Sequence, residues 1–66
     1  MDIKQRTEAL LLAANRALTI KDISELLEVE SAEDESRVIN AVASLKDEYN
    51  AKPYDLVEVS SGYRIQ

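Results

Sequence analysis

Residues 56–66 read Leu-Val-Glu-Val-Ser-Ser-Gly-Tyr-Arg-Ile-Gln, and their reading decides the fold. The β-branched, alternating run Leu56 to Val59 is separated by Ser60-Ser61-Gly62 from a second run, Tyr63 to Gln66, which is the pattern of a β-hairpin. A three-residue loop with Gly62 in the left-handed position pairs Val59 with Tyr63 and Glu58 with Arg64. On that register Val57, Val59, Tyr63 and Ile65 share the face that closes over the rest of the chain. Leu56, Glu58 and Arg64 then point away, Glu58 and Arg64 as an exposed cross-strand pair.

Working outward, Pro53 ends any helical continuation from the preceding segment. That segment, Ala32 to Asn50, places Val38, Val42, Leu45 and Tyr49 at intervals of four, three and four, with Ile39 beside them, and is the clearest helix in the chain. Glu33, Asp34 and Glu35 lie in its first turn, where carboxylates favour the positive end of the helix dipole. Further upstream, Thr19 followed by Asp22 reads as an N-cap for a short helix from about Ile20 to Leu27, carrying Ile20, Ile23, Leu26 and Leu27 inward. The first helix runs from Asp2 to about Asn15. It opens on an Asp2/Gln5 capping box, and Ile3, Thr7, Leu10, Leu11 and Ala14 form one core stripe about 100° wide.

With 66 residues, the chain forms one small domain, 1–66, and no cysteine or histidine is present to staple it. Packing alone must hold it. The same absence removes the usual nucleophile and general-base pairs and the commonest transition-metal ligands. One glycine cannot build a phosphate-cradling loop, and the acidic run lacks the spacing of a calcium loop, so no catalytic residue, cofactor or metal is assigned. No apolar run reaches the length of a membrane span and Met1-Asp2-Ile3-Lys4 is no signal peptide, which predicts a cytoplasmic protein. The chain stops within its last strand, which predicts a piece of something longer.

Three helices, the last two joined as a helix-turn-helix, then a two-stranded wing, make an α+β winged helix, to which Leu18-Thr19 adds a short first strand. Such a fold invites the reading of a DNA-binding transcriptional regulator, its third helix in the major groove. The charges oppose it. From Ala32 to Asn50, Arg37 and Lys46 stand against Glu33, Asp34, Glu35, Asp47 and Glu48, a net of −3 facing a polyanion. The wing tip Ser60-Ser61-Gly62 carries no Lys or Arg.

Four stretches carry a family resemblance: Leu10 to Thr19, Ile23 to Leu27, Ala41 to Tyr49, and Leu56 to Ile65. An apolar first helix ending in a small-Leu-Thr turn, a helix closing in Leu-x-x-Glu-Tyr and a hairpin closing in Gly-Tyr-Arg resemble the N-terminal winged-helix domain of segregation and condensation protein B, ScpB. The likeness covers nearly the whole chain. It departs at Asn15-Arg16-Ala17, where that family's turn usually carries Gly; Asn tolerates the left-handed geometry. The resemblance implies a non-enzymatic accessory subunit of the bacterial SMC–kleisin condensin, acting in chromosome segregation, condensation and cell division and nucleoid-associated through the complex. It further implies a homodimerising module, a second winged-helix domain beyond this one, the kleisin ScpA and through it SMC as partners, and no direct sequence-specific contact with nucleic acid.

On the first helix, Leu12 falls well outside the core stripe, and beside it lie Gln5, Ala9, Ala13 and Arg16. Leu12 reads either as one exposed leucine beside alanines suited to a helix or, since a helix apolar around most of its circumference is usually buried on more than one side, as part of a subunit interface, and these five residues are the candidate dimer face. Tyr49 and Tyr63 read as core-rim residues with hydroxyls in water, and Tyr54 has no assigned place. Ile39 and Leu56, off the main stripe and on the outer strand face, are further interface candidates, and edge pairing through Leu56–Val59 is a rival dimer geometry.

Overall fold

The computed structural model describes residues 2–66. Three helices, α1 (Ile3–Ala13), α2 (Ile20–Leu26) and α3 (Ala32–Tyr49), precede an antiparallel hairpin of β1 (Leu56–Val59) and β2 (Gly62–Ile65). This is the winged helix expected from the order of elements. Leu18 supplies the short extra strand: its N–H donates to the Tyr63 carbonyl at 2.8 Å and its carbonyl accepts the Tyr63 N–H at 2.7 Å.

Local chemistry starts each helix. The Asp2 carboxylate accepts the Gln5 N–H at 2.8 Å while the Gln5 side chain accepts the Asp2 N–H at 3.2 Å, a complete capping box. Thr19 and Asp22 repeat the device at 3.0 Å in both directions, and Ser31 caps α3 by accepting the Asp34 N–H at 3.1 Å. The end of α2 is a Schellman turn: Val29 N–H donates to Ser24 O at 2.8 Å and Glu28 N–H to Glu25 O at 3.1 Å. Glu28 takes φ 59° there, a left-handed position that most proteins give to glycine. Arg6 adds a 3.4 Å bond from its guanidinium to the Leu27 carbonyl.

The core lies between the helices and the inner face of the hairpin, built from Leu11, Leu18, Ile23, Leu27, Val38, Val42, Leu45, Tyr49 and Leu56. Ile3, Leu10, Ala14, Ile20, Tyr63 and Ile65 pack against its margin, so the inward stripes of α1 and α3 are those expected. Ala17 and Ala41, absent from the expected core, are also buried. Thr7 is fully buried with no partner for its hydroxyl among the described residues.

Several expectations need correction. The hairpin is one residue out of the expected register: Val59 pairs with Gly62, Glu58 with Tyr63, Val57 with Arg64 and Leu56 with Ile65. Opposed residues share a face, so Leu56 joins Tyr63 and Ile65 inward and is buried, while Val57 and Val59 turn to the outer face and Val59 is 43% exposed. The cause is the reach of Gly62 across the sheet. A Cβ there would sit 2.3 Å from the backbone carbon of Leu18, so glycine is demanded by the third strand, and its φ of +131° belongs to the start of β2. Glu58 therefore does not face Arg64; it lies 3.8 Å from Lys46 of α3. Leu26, expected inward, is 55% exposed, because Ile20, Ile23 and Leu27 complete the buried stripe of α2 without it. Helix α1 stops at Ala13, two residues early, where Ala14 turns extended at ψ 139°.

Candidate protein interface

The core stripe of α1 leaves a second face looking outward, and Gln5, Ala9, Leu12 and Ala13 lie on it, all exposed. Leu12 is the most exposed large apolar residue described, at 58%. Arg16 is not a continuation of this face, because the helix has ended before it. Its Nη1 donates to the Ala17 carbonyl at 3.2 Å and lies 3.4 Å from Asp22 Oδ2. Asp22 is held below its ordinary carboxylate pKa chiefly by the Thr19 backbone N–H it accepts, with the Thr19 hydroxyl and Arg16 adding to the effect against a partial loss of hydration.

Where α1 ends, the chain reversal opens a groove of about 230 Å³. Its walls are Leu10, Ala13 and Ala14 on one side and Leu26 on the other, with Asn15, Arg16 and Leu18 completing it. The groove thus brings together two of the five expected face residues, Ala13 and Arg16, and leaves Gln5, Ala9 and Leu12 outside its lining. Leu26 was missed by sequence reasoning, although its place on a helical wheel, off the Ile20–Ile23–Leu27 line, already set it apart.

On the other flank of α1, Glu8 ties the helix to the end of α3. The Tyr49 hydroxyl donates to Glu8 Oε2 at 2.7 Å, and Lys52 Nζ stands 3.7 Å from the same oxygen and 4.5 Å from the Tyr49 ring centroid. This corrects the expectation that the hydroxyl faces water. Burial first, and the neighbouring Glu8 second, push the Tyr49 pKa up to about 12. Lys4 of α1 pairs with Glu48 of α3 in the same manner.

On the helix that would enter a DNA groove, the cations have acidic neighbours. Arg37 is 2.7 Å from Asp34 and Lys46 is 3.8 Å from Glu58, so both cations of α3 already face carboxylates. The turn residues Ser60 and Ser61 are exposed and uncharged. Ile39 is 48% exposed on the outer side of α3, and Tyr54, unplaced by sequence, is 57% exposed after Pro53. Among the described residues no three carboxylates gather as metal ligands, and no helix is long and apolar enough to cross a membrane.

Comparison with known proteins agrees with this architecture. A family model for segregation and condensation complex subunit ScpB matches residues 5–66. The chain is 36% identical over 59 residues to the segregation and condensation protein B homolog of Coxiella burnetii, an alignment covering 89% of this chain and 28% of that protein. The crystal structure of ScpB from Mycobacterium tuberculosis superposes with a TM-score of 0.80 at 25% identity, over all of this chain and 42% of that one. The chain therefore spans between about a quarter and two-fifths of the length of these relatives. A family match over nearly every residue, joined to the same three helices and wing in a solved relative, shows that this chain belongs to the ScpB family of segregation and condensation complex subunits, as an N-terminal winged-helix domain of it.

Proposed function

We propose that this domain is the homodimerising module of a non-enzymatic subunit that supports the bacterial SMC–kleisin complex in chromosome segregation and condensation. In this reading it is one of two winged-helix domains of a longer cytoplasmic chain and reaches SMC through the kleisin ScpA. The observation that carries the reading is the outward face of α1, where Leu12 is 58% exposed between the small residues Ala9 and Ala13. Small side chains let a second helix approach closely, and a projecting leucine supplies the apolar area that such an approach buries. The paired cations of α3 and the uncharged wing tip support a surface that works by shape and apolar contact and reads no bases.

Sedimentation equilibrium over a wide concentration range tests the reading. A dimer persisting to low micromolar, converted by Leu12→Glu to a monomer with unchanged far-UV circular dichroism, is the expected result. A wild-type monomer at every concentration overturns self-association, and salt-dependent binding to random duplex DNA overturns the absence of a direct nucleic-acid contact.

A further inference from the structure

We propose that the open edge of β1 docks an extended segment of a partner protein, one that carries a glutamate between alternating apolar residues. The bonding pattern of the hairpin exposes that edge. Asp55 and Gln66 exchange both backbone bonds, at 3.1 and 2.9 Å, and such pairs alternate along an antiparallel ladder, so Val57 and Val59 also turn their amides and carbonyls toward β2. The amides and carbonyls of Leu56 and Glu58 therefore point away from the hairpin. Among the described residues neither makes a backbone bond outside it. The far side of β2 is closed by Leu18 through Tyr63, which leaves β1 as the open side of the sheet. Two N–H and two C=O groups thus stand ready for a strand lying about 4.8 Å away.

Charge selects the occupant. The outer face of the hairpin presents Val57, Val59 and Arg64, with Arg64 directly across from Val57. Val57 is half-buried, Val59 is exposed, and Arg64 is exposed with no ion pair among the described residues, unlike Arg37 and Lys46 of α3. No carboxylate shares that face. A strand added to β1 sets the residue opposite Val57 on the same side, with Arg64 two strand spacings, about 10 Å, from its backbone. Extended arginine and glutamate side chains span that distance over Val57. The residues two before and two after the glutamate continue the same face, where apolar side chains cover Val59. On the opposite face Glu58 and Lys46 stand 3.8 Å apart, so the intervening residues are best polar and uncharged. A second copy of this chain, pairing edge to edge, would bring only the same Val57, Val59 and Arg64, adding a cation and supplying no acid.

Two end-capped heptapeptides test the proposal: Thr-Ile-Thr-Glu-Thr-Ile-Thr, and the same sequence with lysine in the fourth place. Each is titrated into the isotope-labelled chain while the amide resonances are followed. Saturable shifts at Leu56 and Glu58 are expected, with the glutamate peptide bound about fivefold more tightly than the lysine peptide. Arg64→Glu is expected to reverse that order. Glu58→Pro removes an edge N–H that the hairpin does not use, and is expected to weaken binding about tenfold while the α1 and α3 resonances stay in place; Glu58→Ala, which keeps the N–H, retains binding. Absence of shifts at Leu56 and Glu58, or shifts confined to the outward face of α1, overturns docking at this edge. Undiminished binding to Glu58→Pro also overturns it, and equal affinity for the two peptides overturns the role of Arg64.

Discussion

Tyr49 donates its hydroxyl to Glu8 Oε2 at 2.7 Å, closing the C-terminal end of α3 onto the middle of α1. Hydrogen bonds to a charged acceptor contribute about 1.5 to 3 kcal/mol, and the Tyr49 ring is almost wholly buried. Tyr49→Phe is expected to lower unfolding stability by about 1.5 kcal/mol, measured by urea titration at neutral pH. The pH dependence has a definite sign. The native pKa, about 12, lies above the ordinary value of 10.0, so this stabilisation is complete below pH 10 and disappears as pH rises from there through the native value. Stability measured across that alkaline window falls for the wild type, and the part due to Tyr49 is missing in Tyr49→Phe.

Asp22 works at the other end of the pH scale. Its carboxyl is lowered because the charged form accepts the Thr19 backbone N–H, so the stabilisation is present above the ordinary carboxylate value and lost as pH falls through the native one. Asp22→Asn is expected to flatten the acid limb of the stability profile. Thr19→Ala, which removes the reciprocal cap, is expected to cost about 1 kcal/mol at neutral pH by urea unfolding.

Glu28 holds a left-handed turn at φ 59° without the freedom of glycine. Glu28→Gly is expected to stabilise the domain by about 1 kcal/mol, because the strain of an L side chain in that region exceeds the entropy glycine adds to the unfolded chain. Thermal unfolding checks this, and an unchanged or lowered midpoint contradicts it.

Gly62 has no room for a methyl group against Leu18 and Thr19. Gly62→Ala is expected to destabilise by more than about 3 kcal/mol, since both the contact and the positive φ oppose it. Ser61→Ala, at the exposed neighbouring turn position, is the control and is expected to change stability by less than about 0.5 kcal/mol.

What could be read from the sequence was local. The Asp2/Gln5 and Thr19/Asp22 boxes lie within one turn, and the Val38–Val42–Leu45–Tyr49 stripe repeats within one helix, so spacing alone places them. The family likeness, carried by the Gly62-Tyr63-Arg64 hairpin and the Leu45 to Tyr49 segment, is matched by the family model. What escaped depends on groups distant in the chain. The hairpin register turns on the backbone of Leu18, which no pattern within residues 56–66 records. The Tyr49–Glu8 bond joins two helices whose mutual rotation is set by the core. The outward face of α1 was legible as far as Ala13, but the groove beside it needs Leu26 of another helix, and Arg16 left the wheel when Ala14 turned extended.

The paired backbone bonds between Leu18 and Tyr63 carry a kinetic consequence. They join the segment before α2 to the final strand, so this sheet cannot be completed until most of the chain is in place, and the closure of that long loop is an entropic cost met late. The amides of Leu18 and Tyr63 should therefore exchange with solvent as one unit, because an opening that separates the segment before α2 from β2 breaks both bonds together.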